Sequence, residues 1–500
     1  MESRRLVLLG DPGSGKSTFA QHLCLCLAGA RLDPQGEWPG YLRAADAEGW
    51  ELAFYPFPLL IRLRLFAHDA DCLPDDPKQM GRAEHLLKFI QKEAVRLGRP
   101  ELAGRVLELL ENGDALVVLD GLDEVTHPNP ARADADRRRA VAQVIGHFAH
   151  TRFPHARLLV TCREKQYPLN AEGEPAAPWK LPGFPVVKLA DFDPEQIESF
   201  VAQWFDELQA RGRVKDTPAD RAALLAALAA RRELTDLAPK PILLTQMALV
   251  HATEGKLPDS RIKLYEKCIE LLLWDWERLR AVQSGRQGET ADDFLREHCR
   301  TARQAEVQAA LEQAAFQAHR EGDPDLPADK IRRALRQMYA ELYRLTSEEA
   351  AGPVETFIAR WLGGRNGLLV PAGEDTFAVP HKSFREFMAA RYLRQNVVDE
   401  EEWKMSGPAL VRADYDTWRE VLRFAAGLAS LPEVAHALNE LCPDAPSTDP
   451  VAVRQLLLSG EIARDMGGRA ISSKGGKTGR QVYVRLERHL LHLMRDTGES

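Results

Sequence analysis

Residues 10–18 read GDPGSGKST, and they follow the run RRLVLLG at residues 4–10, whose Leu and Val content is typical of a buried strand. The stretch fits the template G-x-x-x-x-G-K-[ST], in which a glycine-rich loop cradles phosphates. The next residues, STFAQHLCLCLA at 17–28, predict an apolar helix. A strand, a loop and a helix in this order favour a phosphate-binding loop over a chance glycine-rich turn.

Glycines in such a loop allow the backbone to wrap so that consecutive N–H groups point at a phosphate. Lys16 adds a mobile positive charge for the β and γ oxygens, and the Ser17 hydroxyl is offered to Mg²⁺. The residues expected to bind the nucleotide are Gly10, Asp11, Pro12, Gly13, Ser14, Gly15, Lys16, Ser17 and Thr18.

A phosphate loop also needs an acid at the end of a second buried strand, and the stretch ALVVLDGLDEV at residues 115–125 supplies one. Asp120 ends the predicted strand, where its carboxylate can help Ser17 to hold magnesium. Asp123 and Glu124 place two more acids just beyond the strand, and one of them could orient or deprotonate the attacking water. The sequence leaves open which of the two does so.

Two more predicted strands belong to the same region. Residues 156–164, ARLLVTCRE, predict a strand that ends in Thr161 and Arg163. A polar or cationic residue at this strand tip can sense a γ-phosphate, although the arginine could instead form a salt bridge on the rim. Residues 57–66, FPLLIRLRLF, predict an extra strand between the two motifs, an arrangement found in P-loop ATPases with an added catalytic acid. The candidate catalytic residues are Lys16, Asp120, Asp123, Glu124 and Arg163, and the candidate metal ligands are Ser17 and Asp120.

The length, charge and cysteine content limit the classes of protein to which the chain can belong. A chain of 500 residues with 45% hydrophobic content is long enough for two to four domains. A net charge of −8 shows no global basic excess, so nucleic acid is not an expected partner. The seven cysteines lack zinc-ligand spacing and predict reduced thiols in the cytoplasm. No apolar stretch has the roughly 20 residues of a membrane span, and no signal peptide precedes the loop.

At this point the residues resemble a known family. The stretch LVVLDGLDEV, with a small residue after its first acid and a second acid pair, resembles the NACHT branch of the STAND ATPases. These signal-transduction ATPases include animal NLR receptors and bacterial relatives. The resemblance covers roughly residues 5–400. It continues in the family's order through FDPEQIESFVAQWF (192–205), LTDLAPKPILLTQMALVH (234–251), LPDSRIKLYEKCIELLLWDWE (257–277) and FAVPHKSFREFMAARYL (377–393).

The resemblance implies two further nucleotide contacts. Pro241 matches the adenine-contacting proline of the family, although a proline before ILLTQM also reads simply as a helix start. His381 matches the histidine that touches the β-phosphate of bound ADP, although it also reads as a structural histidine. Residues 367–381, GLLVPAGEDTFAVPH, predict a hairpin before a helix, which suits a winged helix. That helix carries no basic recognition surface, so DNA reading is not expected.

The predicted fold is an α/β P-loop NTPase, with a parallel sheet flanked by helices, followed by a helical domain, a winged-helix domain and a further α-helical region. The expected domains are a NACHT domain at 1–190, a helical domain at 191–280, a winged-helix domain at 281–398 and a helical region at 399–500. The last region reads as the start of an α-solenoid sensor. The stretch SSKGGKTGR at 472–480 reads as a flexible basic loop.

By resemblance, the chain is expected to act as a signalling switch with ATP or ADP and Mg²⁺ as its ligands. ADP holds a closed off-state, ATP replaces it on activation, and the chain then forms a self-oligomer. Hydrolysis is expected to be slow, because no internal arginine finger can be named. Bacterial antiviral defence or innate-immune-like signalling is the setting that the resemblance suggests. The sequence identifies neither the trigger nor the effector, nor whether the chain is a piece of a longer protein.

Three alternatives belong to other classes. A steadily cycling P-loop ATPase, such as an AAA-type remodeller, would need an arginine finger and fast hydrolysis on assembly. A small-molecule kinase would need a lid and an acceptor pocket, and no lid-like arginine cluster is evident. A binding module that holds ADP permanently is disfavoured by the intact lysine and acids of the two motifs.

Overall fold

The computed structural model describes residues 4–10, 14–42, 54–74, 81–125, 134–167, 169, 179–212, 217–276, 289–323, 325–373, 375–396 and 400–496. The chain divides into two compact units, Met1–Asp191 and Phe192–Ser500. Every helix in the described part is too short or too polar to span a bilayer.

The first unit is built on a five-stranded sheet in which all neighbouring strands run parallel. The strand order across the sheet is β2-β3-β4-β1-β5. The strands are β1 (Arg5–Gly10), β2 (Phe57–Arg62), β3 (Ala115–Asp120), β4 (Arg157–Arg163) and β5 (Val186–Lys188). Because the carboxyl ends of parallel strands meet at one edge, both nucleotide motifs leave the sheet on the same side.

Helices flank this sheet, and the predicted α/β P-loop fold is confirmed. The central strands β1, β3 and β4 read as near-continuous apolar runs because they are covered on both faces. The helices of the first unit are α1 (Lys16–Leu32), α2 (Leu63–His68), α3 (Ala83–Arg96), α4 (Leu102–Asn112) and α5 (Asp134–His147).

The extra strand predicted at 57–66 is present but shorter than expected. It ends at Arg62, and α2 begins at the next residue. The apolar residues Leu63, Phe66 and Ala67 are fully buried, and their spacing of three and four residues suits one face of a helix. A continuous apolar run does not distinguish a strand from a buried helix, which explains the error.

The second unit is mainly helical. Its first helix starts with a capping box, in which the Asp193 carboxylate accepts from the Gln196 N–H at 2.7 Å and Pro194 occupies the first turn. The helices up to residue 356 are α6 (Pro194–Ala210), α7 (Thr217–Ala230), α8 (Arg232–Thr235), α9 (Pro241–Glu254), α10 (Arg261–Glu270), α11 (Ala291–His298), α12 (Gln304–Glu321), α13 (Ala328–Tyr343) and α14 (Ser347–Thr356).

A small antiparallel sheet and a helix form the predicted winged-helix feature. Its strands lie in the order β6-β8-β7. They are β6 (Leu326–Pro327), β7 (Val370–Gly373) and β8 (Thr376–Ala378), and α15 (Lys382–Gln395) follows directly. Phe377 of β8 and Phe384 of α15 are both buried in the hydrophobic core of the unit. The hairpin and helix expected from residues 367–393 are confirmed.

The remaining helices are α16 (Glu400–Ala413), α17 (Tyr415–Gly427), α18 (Leu431–Leu441), α19 (Pro450–Met466), α20 (Gly468–Lys474) and α21 (Gly476–Asp496). The prediction of a flexible loop at residues 472–480 is wrong, because this stretch belongs to α20 and α21. A Cβ on Gly475 or Gly479 would lie 2.4 Å or 2.3 Å from the carbonyl oxygen of Ile471. These glycines therefore permit a close approach of backbone segments rather than flexibility.

Candidate nucleotide-binding site

The phosphate loop leaves β1 at Gly10 and returns into α1 at Lys16. Gly15 has a φ of 93°, a left-handed conformation that favours glycine at this turn. The Lys16 ammonium donates to the Gly10 carbonyl at 2.7 Å, so the lysine side chain lies back across the loop. A Cβ on Gly10 would lie 2.5 Å from Ser14 Oγ, so only glycine fits there without rearrangement.

The loop carries the features of an anion cradle. Ser14 is buried, and its hydroxyl oxygen has no hydrogen-bond partner among the described residues. A buried hydroxyl without a partner is costly, and a phosphate oxygen would satisfy it. Ser17 and Thr18 lie exposed on the first turn of α1, at the helix end that favours negative charge. Asp11, Pro12 and Gly13 lie outside the described residues.

Ser17 and Asp120 meet although their strands are not neighbours. The Ser17 hydroxyl donates to Asp120 Oδ1 at 3.2 Å, across the intervening strand β4. Thr161 on β4 also donates to Asp120 Oδ1, at 2.6 Å, and accepts from the Gly121 N–H at 2.8 Å. Thr161 is buried, so this pair of bonds fixes both the Asp120 carboxylate and the turn that follows it.

This donor set fits magnesium. A hydroxyl and a carboxylate oxygen are the hard oxygen ligands that Mg²⁺ prefers, alongside the oxygens of a substrate phosphate. Ser17 and Asp120 would therefore hold the ion beside the phosphate loop.

The Asp123 carboxylate is held in place by contacts with Arg163. Its Oδ1 accepts from the Arg163 N–H at 3.0 Å, and its Oδ2 pairs with Arg163 Nε at 2.7 Å. Only 5% of the Asp123 side chain is exposed, so the contact is largely removed from water. Arg138 on α5 holds the same turn by donating to the carbonyls of Asp123 and Val125 at 2.9 and 3.0 Å. Asp123 therefore braces the tip of β4.

Glu124 has different surroundings. The residue is exposed to solvent along part of its length, yet neighbouring atoms withdraw its carboxyl group from water. This desolvation is the largest cause that raises the pKa of Glu124, and the charges of Asp123 and Asp120 raise it further. Arg64 and Arg163 oppose the increase. A carboxylate with a raised pKa is a stronger base, which suits proton abstraction from water.

A cavity opens beside the loop. It has a volume of about 240 Å³ and is lined by Ser14 and by residues 188–191, which follow β5. The cavity lies next to the loop because β5 pairs with β1. It offers space for a ligand that extends from the phosphate loop along the edge of the sheet.

The other two predicted contacts belong to the second unit. Pro241 occupies the first turn of α9, as expected for a proline that starts a helix. His381 is buried and forms the N-cap of α15, where its Nδ1 accepts from the Ser383 N–H at 3.2 Å. Their contacts with adenine and phosphate remain predictions.

Three residues near the acids were not predicted in these roles. Thr161 donates a hydrogen bond to Asp120, and Arg138 donates to the backbone of the acid turn. The charge of Arg64 opposes the increase in the pKa of Glu124. Thr161 was predicted only as a polar residue at a strand tip that could sense a γ-phosphate, not as the partner of Asp120. The arginines gave no signal, since Arg138 lies in a run of three arginines and Arg64 in an apparent strand.

Comparison with known families agrees with this geometry. A family model described as the NACHT domain matches residues 4–208. A second, described as the winged helix-turn-helix domain C-terminal to NACHT, matches residues 261–393. The chain is a NACHT-domain protein. A search of curated proteins found no significant match.

The predicted resemblance to the NACHT STAND ATPases is thereby confirmed. The NACHT domain is a P-loop NTPase domain that binds nucleotide, typically with Mg²⁺. A NACHT domain followed by this winged helix suggests a signalling ATPase of the STAND type.

Proposed function

We propose that this NACHT protein is a nucleotide-switched signalling ATPase. In the off-state it binds ADP, on activation it exchanges ADP for ATP, and it then assembles with copies of itself. The observation that carries the proposal is the hydrogen-bonded group at the carboxyl edge of the first sheet, where Ser17, Asp120 and Thr161 join the phosphate loop to the acid turn. The winged-helix domain supplies the second part of a switch.

Lys16 and the loop N–H groups bind the β- and γ-phosphates, and the buried Ser14 hydroxyl gains a phosphate oxygen as its partner. Ser17 and Asp120 would hold Mg²⁺, and the ion would supply positive charge to the phosphate oxygens. The cavity at residues 188–191 receives part of the nucleoside.

Glu124 is the acid that orients and deprotonates the attacking water. Asp123 does not serve this role, because both of its carboxylate oxygens are engaged by Arg163. Arg163 could act on a γ-phosphate only by leaving Asp123. Turnover by an isolated chain is therefore slow, and hydrolysis resets the switch rather than driving steady work.

Pro241 and His381 complete the off-state by contacting the adenine and the β-phosphate of ADP. Both residues belong to the second unit. ADP and ATP must prefer different arrangements of the chain, because a ligand with equal affinity for both would shift nothing. Bacterial antiviral defence or innate-immune-like signalling in the cytoplasm is the setting that the NACHT family suggests.

The nucleotide that co-purifies with the chain tests this proposal. We would denature the purified protein and identify the released nucleotide by chromatography, with Lys16→Ala as the control. We expect stoichiometric ADP from the natural chain and none from the control. An empty site with fast ATP turnover would support a steadily cycling ATPase and would remove the roles given to Pro241 and His381.

A further inference from the structure

The imidazole of His381 is held by hydrogen bonds from within its own helix end. Its Nδ1 lies 3.2 Å from the Ser383 backbone nitrogen and 2.6 Å from the Ser383 hydroxyl oxygen. His381 is 7% exposed and Ser383 is 4% exposed, so water competes little for these bonds. The ring therefore has a fixed orientation at the start of α15.

The direction of the hydrogen bond between the Ser383 backbone and His381 is fixed. A backbone N–H donates and never accepts, so Nδ1 of His381 must be the acceptor. A neutral imidazole carries one proton, and that proton is therefore on Nε2. The Ser383 hydroxyl must also donate to Nδ1, because Nδ1 has no proton to give.

Tyr265 on α10 completes the chain of hydrogen bonds. Its hydroxyl lies 2.9 Å from the Ser383 hydroxyl oxygen, which is free to accept because its own proton points at Nδ1. Burial raises the pKa of the Tyr265 hydroxyl, so it keeps the proton that it donates. Its ring is fixed among aromatic neighbours, with the Phe384 and Phe424 ring centroids at 5.3 and 4.9 Å.

We propose that Ser383 and Tyr265 are positioning residues that hold His381 as the tautomer protonated at Nε2. His381 then meets the nucleotide as an uncharged donor, which fits an acceptor oxygen such as that of the ADP β-phosphate. This inference rests on the proposed function, because it assumes that His381 contacts ADP. Under this proposal, two residues that do not touch the nucleotide determine that His381 acts as a hydrogen-bond donor.

The tautomer can be measured directly. The 500-residue chain with ring-¹⁵N-labelled histidine would give the protonation of each ring nitrogen by NMR, and His381→Gln would identify the signal among its 14 histidines. We expect an unprotonated Nδ1 and a protonated Nε2. Ser383→Ala keeps the backbone N–H donor but removes the hydroxyl donor, so a minor share protonated at Nδ1 should appear. Tyr265→Phe should raise that share less, and Ser383→Thr should keep the natural state. A ring protonated at Nδ1, or one unchanged in Ser383→Ala, would overturn the proposal.

The rate of ADP release distinguishes a failure of the positioning role from a failure of the proposed contact between His381 and ADP. With a fluorescent ADP analogue, Ser383→Ala should release roughly three- to tenfold faster than the natural chain, and Ser383→Thr should restore slow release. If His381→Gln releases ADP at the natural rate while the tautomer is as expected, the contact of His381 with ADP is refuted and the positioning role stands. If His381→Gln releases ADP faster but Ser383→Ala alters neither the ring nor the release rate, the positioning role is refuted alone.

Discussion

Asp123 and Glu124 are neighbours in the chain, yet their carboxylates have different surroundings. Asp123 is engaged at both oxygens by Arg163, whereas the Glu124 carboxyl group is crowded by two other acids and its pKa is raised. The first arrangement stabilises the turn, and the second suits the role of base that we propose for Glu124. The two acids can therefore be separated by mutation.

We expect Glu124→Gln to lower ATP hydrolysis by about 100-fold or more while ATP binding is retained, because only the base is removed. Asp123→Asn should instead lower the melting temperature, since it leaves Arg163 without its anionic partner. Single-turnover hydrolysis, bound-nucleotide analysis and thermal melts of both variants check this. Normal hydrolysis in Glu124→Gln would remove it from the proposed role.

Thr161 provides a second residue-scale prediction. Thr161→Val keeps the shape of the side chain but removes the donor to Asp120 and the acceptor for the Gly121 N–H. We expect Mg²⁺ affinity in the presence of nucleotide to fall by about tenfold or more, because the metal ligand loses its support. Thr161→Ser retains the hydroxyl and should bind Mg²⁺ normally. A magnesium titration that does not distinguish the two variants would contradict the positioning role.

At the scale of elements, the packing of α12 against α17 contains a buried histidine. His319 donates from Nε2 to the Thr417 carbonyl at 2.9 Å, and its ring meets Trp418 edge-on at 4.9 Å. Burial is the first cause, and the Arg385 charge the second, that lower the pKa of His319 to about 4. The folded chain thus keeps this ring neutral in mildly acidic solution.

This shift predicts a loss of stability at acidic pH. An unfolded histidine takes up a proton near pH 6.5, whereas folded His319 does so only near pH 4, so stability falls as pH decreases between these values. His319→Gln retains a donor for Thr417 but does not titrate. Between pH 7 and 5, urea unfolding should show that this variant loses roughly 2 kcal/mol less than the natural chain. Equal losses in both proteins would contradict the prediction.

Gly479 on α21 provides a test of the close packing between α20 and α21. A Cβ on Gly479 would lie 2.3 Å from the Ile471 carbonyl oxygen, so Gly479→Ala should destabilise the chain by about 1–3 kcal/mol. Gly352 on α14 has no atom within 4 Å of such a Cβ, and Gly352→Ala should be neutral or stabilising because alanine favours helices. Thermal unfolding of the two variants compares them. Equal melting temperatures would show that the helices separate without cost.

The sequence predicted those elements whose patterns are local. The phosphate loop, the acid turn after β3 and the hairpin before α15 each have short signatures that tertiary contacts did not override. The length of β2 and the helices around Gly475 were missed, because an apolar run and a glycine run each fit two conformations. The engagement of Asp123 by Arg163 could not be foreseen, since it depends on the register of separate strands.

At the scale of the whole molecule, the proposed switch depends on which nucleotide is bound. The acids and the phosphate loop belong to the first unit, and Pro241 and His381 to the second. A switch of this kind requires that the nucleotide change the state of the entire chain and not only its own site.

The mass of the chain in each nucleotide state tests this claim most directly. We would measure the mass of the Glu124→Gln variant by mass photometry in two conditions, one containing ADP and the other containing ATP and Mg²⁺. The control is the double variant Glu124→Gln, Lys16→Ala, which lacks the lysine that binds phosphate. The proposed switch predicts a single chain with ADP, a larger assembly with ATP and Mg²⁺, and no response in the control. An identical mass distribution with both nucleotides would contradict it.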